Sequence, residues 1–150
     1  MHILSFDTPF EYVNDVRTLL GVTSAELTDD NVFSISIIGQ AEQDIYALVP
    51  TFKTLIEDPN TPELTLNRLM IAFINLVAYY AYGPLKVLLL SSESDNKTIA
   101  TRFKEALTRD PNEFKAAATK ALYTAGIAVQ TGRPDLFSRV SPGTDVITGV

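Results

Sequence analysis

The sequence predicts an all-α fold: a small bundle of about five helices with a long central apolar helix and an extended C-terminal arm. Three observations predict it. Apolar residues recur at helical spacing in several separate segments, residues 66–81 are apolar on nearly every face, and proline and glycine stand where helices would start and stop. Residues 1–130 read as the helical domain and residues 131–150 as the arm.

The first helix is short. Thr8-Pro9-Phe10-Glu11 forms a capping box with proline at the first helical position. Phe10, Val13, Val16, Arg17 and Leu20 follow at helical spacing, and Gly21 stands where a left-handed C-cap belongs.

The second helix opens at Thr28-Asp29-Asp30, a hydroxyl cap followed by two carboxylates at the positive end of the helix dipole. Ile35, Ile38, Ala41, Ile45 and Leu48 would share its buried face, and it should end before Pro50. Phe33-Ser34-Ile35-Ser36-Ile37 alternates like a strand and is rich in β-branched residues. The cap before it and the helical spacing after it favour helix.

The third helix follows Pro62 and is the longest. Leu66, Leu69, Met70, Phe73, Leu76, Val77 and Tyr80 mark one face, while Ile71, Ile74, Ala78 and Ala81 fill the others. A helix apolar all round is central to a bundle or lies in a membrane. Gly83-Pro84 should break or kink it. Leu69 to Leu90 is long enough to span a bilayer. Asn75 and Lys86 inside the run, and the lack of flanking Lys/Arg clusters, favour the bundle core.

A fourth helix is expected from about Asn96 to Thr108, with Ile99, Phe103 and Leu107 on one face. Asp110-Pro111-Asn112-Glu113 then repeats the opening logic of the first helix. The fifth helix carries Phe114, Ala117, Ala118, Ala121, Leu122 and Ala125, and it ends either at Gly126 or, if Ile127 to Val129 extend it, at Gly132. Beyond residue 131 no helical period survives. Ser141-Pro142-Gly143-Thr144 fits a type II turn between two short β-prone pieces.

Hydrophobic residues make up 46% of the chain and charged residues 20%, enough for a packed core. There is no cysteine, and the single histidine is His2. These absences remove thiolate chemistry and leave no Ser-His-Asp set to build. The glycines are too scattered for a phosphate loop, and no carboxylates alternate as a divalent-ion loop requires. No catalytic, cofactor-binding or metal-binding residues are therefore expected. Residues 1–20 lack the basic start and unbroken apolar run of a secretory leader. Tyr79-Tyr80-Ala81-Tyr82 reads as core and interface packing rather than a base-stacking platform, because adjacent helical residues point apart.

Charge is uneven. Residues 1–63 hold eleven acids and two bases, a net of −9, while residues 64–150 hold seven acids and ten bases, a net of +3. The acidic total argues against wrapping nucleic acid. The asymmetry fits two differently solvated faces, or an acidic face meeting the basic face of an identical neighbour in a ring.

The run Val16-Arg17-Thr18-Leu19-Leu20-Gly21-Val22, then Leu27-Thr28-Asp29, then Ala41-Glu42 inside an apolar helix, resembles the opening of the head–tail connector (adaptor) proteins of tailed bacteriophages. By order and spacing of elements the resemblance covers roughly residues 10–110, departing at Gly83-Pro84 and in the long C-terminal segment. It implies a structural virion protein of the neck, assembled in the host cytoplasm. Its copies would form a homo-oligomeric ring, usually a dodecamer, beneath the portal protein. The ring would extend the DNA channel without sequence-specific binding and dock a downstream neck or tail protein. On this reading Phe137, Arg139, Val140, Val146 and Ile147 would form a portal-docking arm. Asp29, Asp30, Glu42 and Asp44 would line the channel or meet the neighbouring subunit. The alternatives are a small membrane-associated, holin-like protein and a helical protein-binding module.

Overall fold

The computed structural model describes residues 9–92 and 108–129. Thr8 of the first capping box, nearly all of the expected fourth helix, and the arm at 131–150 lie outside the described residues. Among the described residues the chain is all-α, with no strand.

Helix α1 spans Pro9–Leu20 and buries Tyr12, Val13, Val16 and Leu20. It ends as its sequence requires. Gly21 takes a φ of 69°, a left-handed conformation that costs glycine little. Val22 N donates to Arg17 O at 3.0 Å and Gly21 N to Thr18 O at 3.2 Å, the paired bonds of a Schellman motif.

The expected single helix from Thr28 to Leu48 is three pieces. Helix α2 is one turn, Asp29–Val32, and the Thr28 hydroxyl caps it by accepting from Asn31 N at 3.4 Å. Ser34 is extended, a π-helical turn covers Ile35–Gly39, and α3 runs Gln40–Leu48. Two local forces explain the break. The Ser34 hydroxyl donates to Asn31 O at 2.7 Å, offering that carbonyl a partner other than the helix. Three isoleucines, Ile35, Ile37 and Ile38, crowd the following turn, where β-branching disfavours the regular α form. The wider turn buries Ile37 and Ile38 but leaves Ile35 86% exposed, correcting its expected place on the buried face. Gly39 closes the turn tightly: a Cβ there would stand 3.0 Å from the Ile35 side chain.

After Pro50, the short helix α4, Phe52–Glu57, drives Phe52 fully into the core. Helix α5 spans Glu63–Ser92. Of the break or kink expected at Gly83-Pro84, the break does not occur, and the helix continues through both residues. Pro84 offers no N–H to the carbonyl one turn earlier, a penalty of about 3 kcal/mol in a helix interior. Burial of Ala81, Tyr82 and Leu85 around the proline offsets it. Asn75, buried in the same helix, donates its side-chain amide to Ile71 O at 2.8 Å.

Helix α6, Asn112–Thr124, starts at the Asp110-Pro111-Asn112-Glu113 motif, as its sequence predicts. The Asp110 carboxylate accepts from Asn112 N at 2.9 Å. It ends in a second Schellman pair, with Gly126 at φ 71° and Ile127 N donating to Leu122 O at 3.3 Å. Its rings and charges register it against α5. Phe114 meets Tyr82 at 6.4 Å between centroids, and Lys115 lies 5.2 Å above the Tyr79 ring.

The core centres on α5. Phe73 is fully buried, with Tyr12 edge-on at 6.0 Å and Phe52 tilted at 6.4 Å. Helices α1 and α3 pack on this side, and Phe114, Ala118, Ala121 and Leu122 of α6 complete the core. By length and composition α5 could cross a membrane, yet half of its most apolar stretch is buried against the rest of the bundle.

Candidate functional site

The four acids expected at a channel or subunit boundary have different fates. Asp29 accepts an ion-paired hydrogen bond from Arg17. Asp44 accepts from the Tyr80 hydroxyl at 2.7 Å and lies 3.5 Å from the Lys115 ammonium. Glu42 is only 4% exposed, so it is an internal group and lines no surface of this chain. Its place follows from the buried face of α3, between Ile38 and Ile45. Asp30 is exposed, with no ion pair among the described residues, and the Asp29 side chain is itself 44% exposed beside Arg17. Phe137, Arg139, Val140, Val146 and Ile147 lie outside the described residues.

The sequence reading missed the cations that tie the elements together. The Arg17 guanidinium donates to Leu27 O at 2.8 Å and to Asn14 Oδ1 at 3.2 Å besides its bond to Asp29. One side chain therefore fixes the path from α1 to α2. Arg109 donates to Leu19 O at 3.1 Å, pairs with Glu113 at 3.2 Å and lies 4.8 Å above the Phe114 ring. It satisfies a carbonyl at the C-terminal end of α1, where positive charge is favoured. Lys115 joins α6 to α3 through Asp44, which Tyr80 joins to α5. None of these links between elements follows a local spacing, so no sequence pattern marks them.

No known protein family, curated protein or solved structure matches this chain. The surface itself must then indicate function.

The described residues form a cleft of about 270 Å³ between the α2–π segment and the C-terminal half of α5. Leu27, Ile37, Pro84, Leu85 and Leu88 supply its apolar wall, while Glu26, Asn31, Ser34 and Ser36 supply its polar rim. Exposed Ile35 stands in sequence between the two rim serines. The π turn creates the cleft's near side. The only sequence signal was the alternation at Phe33 to Ile37, which suggested a strand.

Nothing in the cleft converges as reacting groups do, and no three His, Cys, Asp or Glu side chains gather as a metal site among the described residues. The perturbed titrations belong to core tyrosines. Burial, with the Glu42 carboxylate adding to it, pushes Tyr12 up to about 12. Tyr80 is raised by burial and by its bond to Asp44, and Tyr46 and Tyr82 are raised mainly by burial. These phenols stay neutral and apolar in character.

Proposed function

We propose that the chain is a head–tail connector (adaptor) of a tailed bacteriophage. It is a structural virion protein whose copies form a ring of about twelve beneath the portal. The ring extends the DNA channel and docks the next neck or tail protein. DNA passes through without sequence-specific binding, and the chain carries no catalytic activity. The observation that carries this reading is the order of elements. A short α1 stopped by left-handed Gly21 precedes the capped Thr28-Asp29-Asp30 entry, then Glu42-bearing α3, then the long apolar α5.

Residues 131–150 form the portal-docking arm in this reading, with Phe137, Arg139, Val140, Val146 and Ile147 as its contacts. Of the expected boundary acids, Asp30 is exposed without an ion pair among the described residues, while the Asp29 and Asp44 side chains, 44% and 30% exposed, are paired with Arg17 and Lys115. The competing membrane reading draws on the length and apolarity of α5, and the burial of half that stretch weighs against it.

The deciding experiment mixes purified protein with portal-bearing heads that lack it and counts tails joined. Restoration of joining by the full chain, and its loss on truncation after Gly132, is the expected result. Partition of the protein into membranes without detergent would instead establish the holin-like alternative. Failure to bind heads with no membrane partition would leave a helical protein-binding module.

A further inference from the structure

We draw no further inference here: the strongest candidate, the apolar cleft lined by Leu27, Ile37, Pro84, Leu85 and Leu88 between the α2–π segment and the C-terminal half of α5, carries nothing because nothing among the described residues shows what covers it.

Discussion

Arg17 donates its Nε proton to the Leu27 carbonyl at 2.8 Å, binding the last turn of α1 to the residue before the α2 cap. The same guanidinium reaches Asp29, and its side chain is 11% exposed. Arg17→Met keeps the apolar stem but strands the Leu27 carbonyl and the carboxylate. A loss of about 1–3 kcal/mol is expected in urea unfolding. Arg17→Lys should recover only part of it, since an ammonium cannot reproduce the planar fork. Equal stability of Arg17→Met and wild type would show that the contact carries no energy.

Phe73 holds the aromatic centre between Tyr12 and Phe52. It has no exposed surface, so truncation leaves a void that a packed core fills poorly. Phe73→Ala should cost about 3–5 kcal/mol. Chemical denaturation monitored by circular dichroism reads this directly, and a cost under about 1 kcal/mol would place the ring outside the folding core.

Gly21 and Gly126 both have positive φ, 69° and 71°. No atom lies within 4 Å of where a Cβ would stand at either position, so substitution meets backbone strain without a clash. Gly21→Ala and Gly126→Ala should each lose about 1–2 kcal/mol. Thermal melts of the two variants should fall by similar amounts. An unchanged melt would mean the helix end had moved.

Alkaline pH should unfold the protein from within. Tyr12 is pushed up to about 12, and Tyr46, Tyr80 and Tyr82 are raised as well. Above about pH 10 the unfolded chain releases phenolic protons that the folded chain retains. Stability is therefore complete below about pH 10 and falls as pH climbs through about 12, with Tyr12 alone accounting for about 2–3 kcal/mol. Unfolding free energies at stepped pH should show this slope, and Tyr12→Phe should flatten it. A Tyr12→Phe variant with the wild-type slope would assign the effect to other groups.

Helix ends were the most legible part of the fold. Gly21, Thr28 and the Asp110-Pro111 start act through neighbours within a few residues, and such chemistry can be read along the chain. The all-round apolarity of α5 likewise announced its central place. An expected break at Gly83-Pro84 and an expected single second helix are absent where other forces outweighed the local preference. Pro84 stays inside α5 because the helix is held by its neighbours, and the Ser34 hydroxyl and crowded isoleucines split the second helix. The cleft was illegible because it exists only where that split segment faces the far end of α5. Glu42 looked like a surface acid because its type is usually exposed, yet its position follows the buried face of α3.

The π turn at Ile35–Gly39 also decouples the rotational phase of two helical stretches. A π-type bond spans one residue more than an α-type bond, which offsets everything downstream by about 100° around the axis. Ile37 and Ile38 can therefore join Ala41 and Ile45 in the core while Ile35, at the start of the same turn, stays exposed. Deleting one residue within this turn would remove that offset and swing Ile35 around the axis relative to α3, while α2 and the Arg17–Asp29 tether lie beyond the extended Ser34. A single-residue length change here re-phases the turn against α3, whereas the same change in the 22–28 connection would draw Leu27 and Asp29 away from Arg17.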